Sequence, residues 1–307
     1  MRESRTTLRK GRVVLVGIAL LAAMALPLAA QDYPQLNRPD AFLRVEPEAE
    51  IGFLKVFTHT IKVGENGTAF DYVEQGGQEI LYPYKRFAIN LDIGRRNYLR
   101  FLYQPLTVET TTRVDGIEDA DGIPQPVQFD DVEFPVGEGL RLKYGFDFYR
   151  LTYHFNAVAR PAVTVGLGAS LQLRNASLVF ESATGEETVV SQDLGPVPVL
   201  AGRVEYDPQR GVLEPAFFEL EADGFYASSA FINGAEYDFT GSIFDVGLTA
   251  GYEANPATDL YLTLRVVGGG AEGTRPDGER TFWTQSRSGF TDNFLTLGAL
   301  SVGARLK

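Results

Sequence analysis

Residues 145 to 155 read GFDFYRLTYHF, apolar and polar positions alternating until Phe148 and Tyr149 fall side by side. A period of two marks a strand whose two faces meet different surroundings. Before the break the apolar positions are even (Leu140, Leu142, Tyr144, Phe146, Phe148), and after it they are odd (Tyr149, Leu151, Tyr153, Phe155). A one-residue slip turns every side chain to the opposite face. A β-bulge at 148–149 is therefore expected, keeping Arg150 and His154 off the apolar face. The rival reading is a tight turn at 145–147, which lacks an Asn-Gly or Gly-Gly pair to form it.

The same alternation recurs elsewhere. In FAINLDIG, Phe87, Ile89, Leu91 and Ile93 oppose Ala88, Asn90 and Asp92. In VTVGLGASLQLR, Val163, Val165, Leu167, Ala169, Leu171 and Leu173 oppose Thr164, Gly166, Gly168, Ser170, Gln172 and Arg174. Leu260, Leu262, Leu264 and Val266 oppose Tyr261, Thr263 and Arg265. Such segments predict strands near 48–63, 84–94, 97–108, 138–156, 162–180, 197–206, 212–224, 241–252, 260–271 and 293–306.

The connections alternate as well. Short turns are expected at 94–97, 157–161, 207–211 and 253–259, and long polar loops at 64–83, 109–136, 181–196, 225–240 and 272–292. With antiparallel strands, all short turns then lie at one end and all long loops at the other. An even strand number with this asymmetry is characteristic of an up-and-down transmembrane β-barrel. In the soluble alternative the apolar side would point inward, but the apolar positions exceed what a narrow interior holds. Aromatics near strand ends also match the girdles of a barrel in lipid. The fold expected is all-β: an antiparallel barrel of about ten strands, apolar outside and polar inside.

Arg2, Arg5, Arg9, Lys10 and Arg12 precede an apolar run, Val13 to Leu26, closed by Pro27, Ala29 and Ala30. This pattern predicts a secretory signal peptide over 1–30, followed by a leader at 31–47 and the barrel domain at 48–307. Without residues 1–30 the chain keeps 23 Lys and Arg against 39 Asp and Glu, which argues against a nucleic-acid partner. No cysteine is present, so neither a disulfide nor a cysteine-linked lipid contributes.

On its signal-like start, dyad strands and alternation of short turns with long loops, the chain resembles Gram-negative outer-membrane β-barrel proteins. The resemblance implies residence in the cell outer membrane, contact with its lipids and lipopolysaccharide, handling by the outer-membrane assembly machinery, and a monomer without cofactors. Such proteins usually end in an aromatic residue, whereas this chain ends LSVGARLK.

Strand parity sends seven bases (Arg100, Arg141, Lys143, Arg150, Arg174, Arg203, Arg265) and seven acids (Asp92, Asp147, Glu205, Glu219, Glu221, Asp223, Asp245) to the lumen. Mixed signs in a narrow interior predict a paired charge network and a closed or nearly closed axis. A structural or surface-interaction role follows, with a narrow diffusion channel for small polar solutes as the alternative. A third reading is an outer-leaflet lipid-modifying enzyme. FTHT at 57–60 resembles the Phe-x-His-x-Ser pattern of lipid A deacylases, but Ile61 stands where the serine belongs. His59 and His154 are the only histidines, and both read as packing or hydrogen-bonding residues. The acidic stretch 109–136 lacks the full ligand spacing of a calcium loop and reads as solvated. Trp283 and Phe282 mark a second loop that reads as an adhesive tip or a lid.

Overall fold

The computed structural model describes residues 37, 41–115, 117–118, 123–228, 239–274 and 290–307. The signal-like stretch and the Trp283 loop lie outside the described residues. Ten long strands build the wall: β1 (Leu43–Val63), β2 (Leu81–Ile93), β3 (Asn97–Gln104), β4 (Gly139–Arg160), β5 (Val163–Ser182), β6 (Thr188–Tyr206), β7 (Ala216–Ser228), β8 (Phe239–Asn255), β9 (Thr258–Thr274) and β10 (Phe290–Leu306). Each pairs antiparallel with the next in sequence. β1 closes on β10, from Glu48↔Arg305 to Val63↔Thr291. Closure removes the free sheet edges that a bilayer could not solvate, except along β6–β7, where the described pairing stops at Leu200↔Gly224.

The connections β2–β3, β4–β5, β6–β7 and β8–β9 lie at one end, all tight except 207–215, and the others lie at the opposite end. There the long loop expected at 181–196 is instead the short turn 183–187, because Thr188–Tyr206 is strand throughout, paired with β5. Gly94 takes a φ of 62° in the first of the tight turns, a conformation that glycine adopts without strain. The wall begins earlier than the sequence suggests: Leu43–Pro47, expected in the leader, pair with Ile93–Ile89 of β2.

Toward the tight-turn end the outer surface is apolar. Ile51, Phe53, Ile89, Phe101, Leu151, Leu167, Leu171, Leu220, Leu248, Leu264 and Leu300 are all exposed there. Aromatics rim this belt. Tyr103 stacks on Tyr149 with ring centroids 4.8 Å apart, and Tyr206 on Phe218 at 6.4 Å. Lys55 and Lys85 emerge on the outer face toward the long-loop end, where a lysine stem can lie along the belt and its ammonium reach water.

The expected bulge at 148–149 is not there, nor is the rival turn. β4 runs unbroken, with Phe148 opposite Arg174 and Tyr149 opposite Leu173, and its register shifts only between Asn156 and Val158. Leu140, Leu142, Tyr144, Phe148, Arg150, Thr152, His154 and Asn156 are all buried, so even-numbered residues face inward along the whole strand. The parity is constant and the surroundings change. Near Tyr149 the outer face passes from apolar to polar, and the inner face passes from polar to apolar. Arg141 and Lys143, expected in the lumen, therefore stand on the outer surface, beside Glu181 (3.8 Å) and Glu109 (3.2 Å). Asp147 is also on the outer side, where its carboxylate accepts the Leu106 amide at 2.9 Å.

The lumen is accordingly not polar throughout. At the long-loop end it is a hydrophobic core in which Leu140, Leu142, Tyr144 and Phe180 of β4 and β5 meet Leu54, Val56, Ile61, Val108 and Leu297. Connecting segments fold into it. Phe70–Asp71 pairs with β1. A small hairpin, Val127–Phe129 with Val132–Phe134, carries Phe129 and Phe134 into full burial. Phe129 stacks on Phe180 with centroids 3.5 Å apart. The stretch read as a solvated acidic loop thus supplies core, and its first part, Thr107–Arg113, extends the wall along β4 beyond Pro105. Each buried aromatic contributes roughly 1.5–3 kcal/mol, so the barrel carries a small globular core on top of its membrane belt.

Candidate functional site

Below that core the inward positions carry charge. Glu48 and Glu50 come from β1, Arg86 from β2, Arg100 from β3, Arg150 from β4, Arg203 from β6, Glu219, Glu221 and Asp223 from β7, Asp245 from β8, Arg265 from β9 and Arg305 from β10. β5 contributes Gln172, whose carbonyl accepts Arg150 Nε at 2.9 Å. All ten staves are therefore tied to the axis by polar side chains.

The pairs form one connected chain along the lumen. Nearest the tight turns, Arg203 bonds Glu205 and Glu219 (3.0 Å to the latter), and Arg305 reaches Glu219 at 3.3 Å and Glu48 at 3.1 Å. Arg100 bridges Glu48 (2.6 Å) and Glu221. Arg265 bridges Glu221 (2.8 Å) and Asp245 (2.7 Å). Asp245 also receives Arg150 at 3.0 Å and Arg86 at 3.3 Å, and Arg150 reaches Asp223 at 2.5 Å. Glu50 accepts the Ser301 hydroxyl at 2.7 Å, and Tyr98 donates to Asn90, which donates to Glu48.

Every base in this chain is arginine. A guanidinium keeps its charge when buried, and its planar fork donates to two carboxylates at once, where a lysine would be a single point charge. Removing one partner of a buried pair leaves an uncompensated charge, at about 3–5 kcal/mol.

Of the fourteen residues expected in the lumen, Arg100, Arg150, Arg203, Glu205, Glu219, Glu221, Asp223, Asp245 and Arg265 enter this chain. Asp92 lies at the tight-turn mouth, 2.8 Å from the exposed Arg44. Arg174 faces inward above the network with its guanidinium 5.9 Å from the Phe146 ring. Arg141, Lys143 and Asp147 are excluded by the parity already described. The sequence reading missed Glu48, Glu50, Arg86 and Arg305. Their signal was present: the glutamates alternate with Pro47, Ala49 and Ile51, and Arg86 shares parity with Ala88 and Asn90.

Two cavities flank the network and share no lining residue. One, of about 1010 Å³, opens among the tight turns and is lined by Arg44, Glu46, Asp92, Arg203 and Arg305. The other, of about 480 Å³, lies between the network and the hydrophobic core. His59 is buried in that core. Its Nδ1 is 2.8 Å from Gln78 Oε1, and its ring stacks on Tyr72 at 4.2 Å with Tyr144 edge-on at 4.4 Å. His154 is buried near Tyr98, with ring centroids 5.7 Å apart.

No protein-family model matches the chain, and no curated protein matches it. Among solved structures it is similar to the outer membrane protease OmpT from Escherichia coli, at 10% identity and a TM-score of 0.45, over 85% of this chain and 96% of that one. It is also similar to the Pseudomonas putida toluene transporter TodX, at 9% identity and a TM-score of 0.28, over 87% and 90% of the two chains. The closed wall and the apolar outer belt make the chain an antiparallel, ten-stranded transmembrane β-barrel.

Proposed function

We propose that the protein is an integral outer-membrane barrel with a sealed axis, holding its short turns in the periplasm and a compact aromatic head outside the cell, in a structural or surface-interaction role. The observation that carries this reading is the chain of arginine–carboxylate pairs drawn from nine staves and tied to the tenth through Gln172, capped by buried aromatics. A conducting pore lines a water path with charges that remain solvated. Here they are buried against one another, so water and ions find few free partners. The alternative of a narrow channel predicts the opposite in the same experiment. Refolded protein in planar bilayers is expected to give no reproducible conductance steps, and regular steps from the purified protein overturn the sealed-axis reading.

A further inference from the structure

The seam between β6 and β7 is half open. β5 pairs with β6 along its length, from Val163↔Tyr206 to Glu181↔Thr188, and β7 pairs with β8 up to Ser228↔Thr240. Between β6 and β7 the described pairing runs only from Tyr206↔Phe218 to Leu200↔Gly224. Beyond Leu200, β6 carries Pro196 and Pro198, which lack an amide hydrogen and suit a strand with a free edge. The 480 Å³ cavity is lined from both sides of this gap, by Pro198 on β6 and Phe225 on β7. On the outer surface the gap is flanked by Leu200 and Tyr226, 65% and 61% exposed.

The cavity walls are mostly apolar, with Phe146, Phe148, Ile243 and Leu295 among them, and its floor is cationic. Arg150, Gln172 and Arg174 line it. Arg150 Nη2, Gln172 Nε2 and Arg174 Nε are buried without a hydrogen-bond partner among the described residues. Gln172 is fully buried and Arg150 nearly so. Arg174 has no ion pair among the described residues, so its charge stands unpaired above a network whose own arginines are all matched. The volume lies within the about 300–1,000 Å³ usual for small-molecule sites.

We propose that this cavity binds a single-chain anionic amphiphile, a long-chain carboxylate, which enters sideways from the outer leaflet through the β6–β7 seam. Its carboxylate accepts from Arg174, Arg150 and Gln172, and its alkyl chain fills the space among the phenylalanines. This rests on the outer-membrane reading, because the seam opens toward lipid, but it does not require the axis to be sealed.

The test is equilibrium binding of radiolabelled palmitate to the protein in lipid nanodiscs. Saturable one-to-one binding is expected, weakened about tenfold or more in Arg174→Gln through loss of a charge-assisted bond, and recovered in part in Arg174→Lys. Ala176→Trp, which fills the cavity from β5, should abolish binding, and Arg141→Gln on the outer surface should leave it unchanged. Palmityl alcohol should compete at least tenfold more weakly than palmitate. Dodecyl phosphate competing better than laurate reassigns the head group and overturns the carboxylate. Heat-modifiable gel mobility reports whether each variant is folded. Folded protein without saturable binding, or with binding indifferent to Arg174→Gln and Ala176→Trp, overturns the inference. Conductance recorded on the same preparation tests the sealed axis separately, so each reading can fail without the other.

Discussion

The guanidinium of Arg150 lies 5.2 Å from the ring of Phe148, two residues earlier on the same inward face of β4. That contact is the ceiling of the charge network, and both side chains line the cavity beneath the aromatic core. At the same level the outer face changes from Tyr149, at the rim of the apolar belt, to Asp147. Inside and outside exchange polarity together, as they must when a wall of constant parity leaves lipid for water.

This relationship gives the first prediction. The chain has no cysteine, so single cysteines report their surroundings without background. In proteoliposomes with the long loops outward, Arg141→Cys and Lys143→Cys should react rapidly with a membrane-impermeant maleimide. Leu151→Cys and Tyr153→Cys should stay unlabelled until detergent is added. Labelling that is fast at 151 and slow at 141 would place the boundary on the wrong side of Phe148.

How far the sequence reveals the fold turns on that boundary. Strand number, closure and the tight turns near 94–97, 157–161 and 253–259 follow from alternation and loop length, since both are consequences of crossing a bilayer repeatedly. The short turn at 183–187, by contrast, is hidden in a polar stretch that reads as a long loop. The reversal at Phe148 does not follow from one strand alone, because a bulge and a change of medium both transfer apolarity from one parity to the other. The neighbouring strand distinguishes them. β5 changes from odd apolar positions (Leu171, Leu173) to even ones (Leu178, Phe180) just beyond Arg174, the partner of Phe148. Two paired strands that change at one level indicate a change of surroundings. Arg86 and Arg305 were legible by parity alone, whereas the descent of Phe129 into the core depends on a loop closing back on the barrel, which no periodicity records.

Asp245 offers the sharpest test of the network, since Arg265, Arg150 and Arg86 all converge on it. Asp245→Asn should lower unfolding free energy in lipid vesicles by about 3–5 kcal/mol, the cost of orphaning buried charge. Combining Asp245→Leu with Arg265→Met removes a charge of each sign and should be less harmful than Asp245→Leu alone. Urea titration followed by tyrosine fluorescence measures both, and additive losses in the double variant would mean the two residues do not act as a pair.

The aromatic head should be separable from the membrane belt. Phe129→Ala removes a fully buried ring from its stack on Phe180 and should cost about 3–5 kcal/mol of local stability. Because that ring sits above the belt, bilayer insertion should proceed normally. Limited proteolysis of proteoliposomes is expected to cut the 123–138 region faster in the variant while the barrel fragment remains protected. Loss of membrane insertion instead would tie the head to assembly of the wall.

His59 tests the enzymatic reading directly. An imidazole acting as general base needs a nucleophile or water on one nitrogen and an orienting group on the other. Here Nδ1 meets the Gln78 amide, Tyr72 stacks on the ring and Tyr144 stands nearly perpendicular to it, so the side chain packs the head. His59→Ala should therefore leave the acyl-chain pattern of lipid A in overexpressing cells unchanged by mass spectrometry, while lowering the thermal midpoint of the purified protein. His59→Gln keeps a polar group opposite Gln78 and should recover part of that midpoint. An acylation change that appears with wild-type overexpression and vanishes in His59→Ala, with the fold intact, would establish catalysis and displace the structural role.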